Sequence, residues 1–400
     1  MERYSEYKDS GVEWLGEIPR HWELRKMKFS FEERSQKGFP TLPLLAATQN
    51  HGVIRKSDYE NRTVEATKSL DTLKLVEVGD FVISLRSFQG GIELCHDRGI
   101  ISPAYTILNP THIKSCYFKY LGKSPVYLQL LKSMVTGIRE GQNIDYGKLR
   151  ENLIPIPTEA EQEAIANYLD KVTSKIDAAI AQQQKMIELL NERKQIIINN
   201  AVTKGLDPTA KMKPSGIPWL GNIPAHWEVR KLKQIARLQS GETINSEMFT
   251  ESGYPVFGGN GFRGYTDTYN HDGNYILIGR QGALCGNINY AHGHFFATEH
   301  AVVVYPFKYE DIIWLGELLR SSNLNQYSQS AAQPGLSVSV IGNICYPYPP
   351  DKEKKKISTY LQSVLPKIEN GINICNDRID LLQERKQIII NEVVTGKVKK

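Results

Sequence analysis

Few residues in this chain have the types and spacing that chemistry needs, and most of those have a plainer reading. Gly259-Asn260-Gly261-Phe262-Arg263-Gly264 fits the GxGxxG pattern that cradles a dinucleotide pyrophosphate. That use needs a helix N-terminus straight after the glycines, to receive the phosphates. Here YTDTYNHDG follows, which is turn-rich and β-prone, so the segment reads as a glycine-rich loop beside a strand. His292, His294 and His300 have no carboxylate or cysteine at a recognised metal-site spacing, and read as solvated or core histidines. Glu192-Arg193-Lys194 and Glu384-Arg385-Lys386 resemble the ExK end of a nuclease centre, which needs clustered acids around a metal. Deep inside helical patterns they read as salt-bridged faces. No GxxxxGK[ST] loop, HExxH pair or [DN]PP[YF] motif occurs, and Tyr348-Pro349-Pro350-Asp351 is a turn into a helix. Catalysis, a metal and a bound cofactor are not expected of this chain alone.

Binding chemistry fares better. Arg86-Ser87-Phe88-Gln89-Gly90-Gly91 and Arg280-Gln281-Gly282 each put Arg and Gln at a strand end beside glycines. Arg and Gln can bond guanine and adenine edges through two hydrogen bonds each, and glycines let a phosphate approach the backbone. Arg86, Ser87, Gln89, Arg280 and Gln281 are therefore DNA-contact candidates; bracing of their own domain is the equal alternative. The polar loops Gly141-Gln142-Asn143 and Gln333-Pro334-Gly335 add Gln142, Asn143 and Gln333, and the glycine-rich loop adds Asn260, Arg263 and Tyr265.

An internal repeat positions these loops. Residues 10–28, SGVEWLGEIPRHWELRKMK, match residues 215–233, SGIPWLGNIPAHWEVRKLK, at 13 of 19 positions, offset by 205. Residues 189–203, LLNERKQIIINNAVT, match 381–395, LLQERKQIIINEVVT, at 12 of 15, offset by 192. Between these ends only a faint pattern survives. Gly79-x-Phe81-Val82-Ile83-x-x-Arg86 parallels Gly273-x-Tyr275-Ile276-Leu277-x-x-Arg280, and residues 102–110 parallel 298–306, all strand-like. A duplicated frame with divergent middles suits one task performed twice on two different targets. The repeated tryptophan blocks (Trp14, His21, Trp22; Trp219, His226, Trp227) read as packing that ties each domain to the helices.

After Pro155-Ile156-Pro157, with Thr158 as N-cap, the chain reads as one helix to about Asn199; after Tyr348-Pro349-Pro350, with Asp351 as cap, as another to about Thr395. The first carries an apolar stripe at Ile165, Leu169, Val172, Ile176, Ile180 and Ile187, the second at Ile357, Leu361, Val364, Ile368, Ile372 and Ile379. Anchors 11 apart suit a nearly straight pair, and about 40 residues at 1.5 Å make a rod of roughly 60 Å. Antiparallel pairing satisfies both stripes and relates the halves by a pseudo-two-fold; each helix lying on its own domain is the alternative. The fold class is α+β: two globular α/β domains, 1–157 and 205–350, joined by long helices over 158–204 and 351–400 that form an antiparallel coiled coil.

The 400 residues are 40% hydrophobic and 23% charged, ordinary globular composition. No apolar run approaches the ~20 residues of a membrane span, MERYSEYKDSG is no signal peptide, and five scattered cysteines form no CxxC, so a cytoplasmic protein without disulfides is expected. Net charge is +5, unevenly spread: residues 29–150 carry 16 basic and 12 acidic residues, 234–342 carry five and nine.

The doubled WLG-x-IP-x-HWE blocks, the IPIP and YPYPP turns, the LL-x-ERKQIIIN helix ends and the divergent middles together resemble the specificity subunit of type I restriction–modification systems, over nearly the whole chain. The resemblance implies two target-recognition domains, each reading half of a bipartite, asymmetric site in double-stranded DNA, held at fixed spacing by the helices. It further implies docking of two modification subunits that use S-adenosylmethionine to methylate adenine N6, and two ATP- and Mg2+-dependent motor-nuclease restriction subunits. Two rivals stay open: a DNA-binding adaptor of another defence complex, and a coiled-coil scaffold that binds no DNA. The departure from the pattern is the net −4 of residues 234–342.

Overall fold

The computed structural model describes residues 2–49, 51–59, 70–85, 87–136, 143–282, 284–308, 312–328 and 335–400. The chain forms two compact units, Met1–Gln183 with Asp377–Lys400, and Gln184–Asn376. The first holds strands β1 (Phe31–Arg34), β2 (Leu45–Thr48), β3 (Gly52–Arg55), β4 (Phe81–Ile83), β5 (Glu93–Leu94) and β6 (Thr106–Pro110). Its four-stranded sheet runs β1-β6-β4-β5, antiparallel throughout, and β2-β3 is a hairpin. The second holds β7 (Ala236–Ser240), β8 (Tyr254–Gly258), β9 (Gly261–Thr266), β10 (Tyr275–Gly279), β11 (Ile288–Ala291), β12 (His294–Ala297) and β13 (Ala301–Pro306). The order β7-β13-β10-β11 repeats the first sheet, and the β8-β9 hairpin repeats β2-β3. The two faint sequence parallels are thus β4 with β10 and β6 with β13, and in each unit these two strands pair.

Period-two alternation explains why β10 and β13 are apolar on both faces. Ile276, Ile278, Val302 and Val304 face a core shared with Trp314, Leu315, Leu318 and Leu319 of the helix Ile312–Ser321. Leu277 and Val303 face a smaller core with Phe295 and Ala297.

The long helices are α1 (Glu159–Lys204) and α2 (Asp351–Val394), which pack against each other. In the first unit the start of α1 meets the end of α2: Ile165, Leu169 and Ile176 share a core with Ile389, Ile390, Val393 and Val394. In the second the end of α1 meets the start of α2: Ile198, Ala201 and Val202 with Ile357 and Leu361. The pairing is antiparallel, and the same helix ends also complete the globular cores, so both sequence-level packings hold there. Of the twelve stripe residues, Ile165, Leu169, Ile176, Ile357, Leu361 and Ile368 are buried and the rest are half-buried. The ExK segments are salt-bridged faces: Lys194 lies 2.8 Å from Glu369 and Lys386 2.7 Å from Asp177, one pair carried onto the other by the offset of 192. Among the described residues no helix is long and apolar enough to cross a membrane.

Thr158 caps α1 as expected. Its hydroxyl accepts from the Glu161 amide (3.4 Å) and its own amide donates to the Glu161 carboxylate (3.2 Å), a capping box. The cap of α2 differs by one position. Asp351 is the first helical residue, its carboxylate paired with Lys354 (3.2 Å) and Lys308, and Pro350 holds the cap position, its carbonyl accepting from the Lys354 amide (3.1 Å).

Glu161 also closes the unit. Strand Glu23–Lys26, just after the first tryptophan block, pairs antiparallel with Leu153–Ile156, just before α1, which sets the block beside the helix start. The Trp22 indole donates to the Glu161 carboxylate (3.4 Å) and His21 lies 2.8 Å from it. Burial opposes ionisation of Glu161, but the hydrogen bonds from His21, Thr158 and Trp22 hold its carboxyl below the usual range. In the second unit Glu228–Lys231 pairs with Cys345–Tyr348, and Glu353 receives Trp227 (2.9 Å) and His226 (2.6 Å). The far edge of each indole meets the glycine that ends the opposite helix. A Cβ on Gly396 (φ +73°) would fall 2.9 Å from the Trp22 ring, and one on Gly205 (φ +77°) 3.1 Å from Trp227. Trp22 and Trp227, both fully buried, therefore sit where one long helix begins and the other ends.

One buried acid in the first unit is less comfortable. Burial pushes the Glu93 carboxyl up to about 7, although the Lys123 ammonium 2.6 Å away favours its charge.

Two outcomes follow in denaturation experiments. Trp227→Phe, which keeps an aromatic ring but loses the hydrogen bond to a carboxylate and part of the indole's volume, costs at least about 1.5–3 kcal/mol, and Trp227→Ala, which opens a larger cavity, about 3–5 kcal/mol. For Glu93, a native carboxyl near 7 against the ordinary 4.5 of the unfolded chain means that the native state binds the extra proton in that window, so stability falls as pH rises through it. Glu93→Gln removes this term: the melting-temperature advantage of the variant over wild type grows between pH 5 and pH 8 and is absent if Glu93 titrates normally.

Candidate nucleic-acid interface

In the second unit the candidates lie on three segments that converge. The turn between β8 and β9 pairs Gly258 with Gly261, whose φ of +92° is a left-handed conformation that glycine adopts without strain. The register slips between Val256 and Phe257, which pair with Gly264 and Phe262, so Arg263 is the extra residue of a β-bulge. Bulges re-aim side chains, and here the Arg263 stem crosses Gly258, leaving no room for a Cβ, with its guanidinium 5.8 Å from the Phe249 ring. Asn260, Arg263 and Tyr265 are all exposed. The GxGxxG segment is a hairpin turn and a strand, as its flanking sequence implies.

Strand β10 delivers Arg280 and Gln281 to the same place. A Cβ on Gly279 would collide with the Gly259 carbonyl, so the hairpin tip rests directly on the end of β10. The Asn287 amide donates to Asn260 Oδ1 (3.2 Å), tying the tip to the loop after β10. Arg280 is half-buried and donates to Ser240 Oγ (3.2 Å), which serves as bracing, while Gln281 is exposed and its backbone bridges to Gly335. Asn260, Arg263, Tyr265, Arg280 and Gln281 are thereby brought together; Gln333 lies outside the described residues. The three histidines go to separate partners: His292 to Asn274 (2.8 Å), His294 to Asp272 (3.3 Å), His300 to Glu299 (3.4 Å).

The first unit uses the same geometry with other residues. The helical turn Ser87–Gly90 follows β4, as the Arg280 loop follows β10. Ser87 is buried, its hydroxyl accepting from the Ser84 amide (2.9 Å), and Gln89 is exposed. Gly90 presses on Gln49, at the tip of the β2-β3 hairpin, and Lys123 donates to the Gln49 carbonyl (2.9 Å). Arg86 and Gln142 lie outside the described residues; the backbone of Asn143 pairs with Thr136. A cleft of about 750 Å³ beside this tip is lined by Gln49, His51, Gln89, Lys119, Lys123 and Lys386, among others. Its three lysines are already held by Asp170, Glu93 and Asp177, so the cleft's field is weaker than its count of cations suggests.

Sequence reading passed over Gln49 and His51, the counterparts of Gly259 and Asn260. The available signal was the turn run Thr48-Gln49-Asn50-His51-Gly52 between two apolar strands, which carries neither Arg nor a pair of glycines.

The family described as "Type I restriction modification DNA specificity domain" matches residues 224–374, which hold the second unit's sheets, hairpin and loops. The type I restriction enzyme EcoprrI specificity subunit of Escherichia coli is 40% identical over 149 residues, 36% of this chain and 36% of that protein, about a third of its length. The MjaVIII specificity subunit of Methanocaldococcus jannaschii is 28% identical over 305 residues, 68% of this chain and 69% of that one. The putative MjaX specificity subunit of the same organism is 24% identical and covers 96% and 95%. Among solved structures, a chain from a study of assembly and conformational transition of the type I R-M system superposes with TM-score 0.68 at 15% identity, over 95% of this chain and 99% of that one. The HsdS subunit of Thermoanaerobacter tengcongensis gives 0.50 at 14% identity, over 95% and 98%; at such identities the likeness is one of fold. The specificity-domain family thus covers residues 224–374, and the curated relatives that the chain resembles beyond that stretch are type I specificity subunits.

Proposed function

We propose that the chain reads a bipartite, asymmetric sequence in double-stranded DNA, one half-site per unit, and positions two adenine-N6 modification subunits and two restriction subunits on it. One observation carries this reading: the two units set a hairpin tip beside the loop after the equivalent strand, with Gln49, His51 and Gln89 in one and Asn260, Arg263 and Gln281 in the other. One frame bearing two sets of base-reading side chains suits two unlike half-sites. The chemistry belongs to the partners: S-adenosylmethionine with the modification subunits, ATP and Mg2+ with the restriction subunits. The second unit's acidic stretch, residues 234–342, leaves much of the phosphate contact there to those partners.

The number of modification subunits has its own support. Leu189 and Ile196 on α1, and Leu381 and Ile388 on α2, are exposed at 48, 52, 64 and 49%. They are one pair repeated at the offset of 192, seven residues apart and so on one helical face. An apolar face present twice suits two copies of one partner.

Two measurements test the reading. A long-read methylation map of cells with this gene and its modification partner shows a bipartite N6-methyladenine motif that vanishes when the gene is deleted. Exchanging residues 29–150 or 234–342 for those of a relative changes one half-motif each. An unchanged map rejects the proposal in favour of a DNA-binding adaptor or a scaffold, which salt-dependent DNA binding then separates. Native mass spectrometry of Leu381→Glu/Ile388→Glu shows loss of one modification subunit, and the four-fold variant with Leu189→Glu/Ile196→Glu shows loss of both; full assembly of the four-fold variant refutes that docking face.

A further inference from the structure

We infer that Phe262 reads the 5-methyl group of a thymine in the half-site bound by the second unit, an inference that rests on the DNA-recognition reading above. Phe262 is the second residue of β9, 55% exposed at the rim of the converging loops. Its ring lies 5.1 Å from Tyr265 at 67°, and together they form an apolar edge between polar neighbours, Asn260 and Arg263. Its hairpin neighbours Gly258, Gly261 and Gly264 carry no side chains of their own.

Charge and chemistry choose the occupant. With five basic and nine acidic residues, the stretch 234–342 draws little from phosphates, so its contacts to base edges must carry more of the recognition. In the major groove the thymine methyl is the apolar group that a base edge offers to a side chain such as Phe. If adenine is the methylated base, each half-site contains an A·T pair and so a thymine. The feature is also specific to one unit. Gly52 (φ +72°) and Gly261 (φ +92°) end equivalent hairpins, but the next residue is the fully buried Val53 in the first unit and the exposed Phe262 in the second. An apolar reader at this position therefore serves only the second half-site.

The test uses the full chain assembled with its modification subunits and duplexes of the mapped motif. Each thymine of the second half-site is replaced singly by uracil, which lacks only the methyl group. At one position wild type loses about fourfold in affinity, the factor for one buried methyl at ~0.8 kcal/mol. Phe262→Gln binds the thymine duplex about fourfold more weakly and no longer distinguishes it from uracil, while Phe262→Leu keeps the preference; Phe262→Ala replaces the glutamine variant if that one melts early. Indifference of wild type to uracil throughout the second half-site overturns the inference. So does a uracil effect that persists in Phe262→Gln, or a variant that sheds modification subunits but still discriminates, which would make Phe262 a protein contact. A complex with no preference for the motif over a scrambled duplex removes the DNA reading itself, a result distinct from specific binding that ignores uracil.

Discussion

The structure depends on a carboxylate held at the first turn of each long helix. Glu161 and Glu353 each receive an indole N–H and lie within hydrogen-bond reach of an imidazole, and each tryptophan behind them packs on the glycine that ends the other helix. A charge-assisted bond of this kind, at a helix N-terminus whose dipole already favours the anion, is stronger than a neutral one. It fixes three things at once: where one helix starts, where the other stops, and how the strand after each tryptophan block meets the strand before the helix. Within each unit the sheet and its loops are carried on this helix corner.

That division of labour explains why the two halves can share their ends and diverge between them. The frame is held by residues that recur at offsets of 205 and 192, down to the ion pairs Lys194–Glu369 and Lys386–Asp177. The loops ask only that β4 and β10 end beside a hairpin tip. Glycine at 90 in one unit and at 259 and 279 in the other meets that demand, because the close approach leaves no room for a side chain.

Much of this was legible in the sequence. The repeat pointed to two halves, although the first unit also takes in residues 377–400; the apolar stripe with anchors 11 apart gave the helices, Thr158 the first cap, and apolar runs the strands β4, β6, β10 and β13. What sequence could not show is which segments meet. Gln49 and Gly90 are far apart along the chain and carry no motif, so their contact follows only from sheet topology. Asp351 was read one position off the cap, and its carboxylate pairs instead with Lys354 and with Lys308 from a distant segment. Phe262 carries no signal of its own in the sequence; its place beside the turn at Gly261 and the bulge at Arg263 follows from the strand register.

The first unit is discontinuous in the chain, and the second is not. Trp22 waits for Gly396, and the Tyr117 hydroxyl for the Val394 carbonyl that it reaches at 2.8 Å. A chain emerging from the ribosome therefore carries its first domain with an open apolar seam while the second, made later, already has every piece that it needs. The part synthesised first is the part finished last, and until residues 377–400 are released the seam along Ile165, Leu169 and Ile176 is the surface most in need of protection.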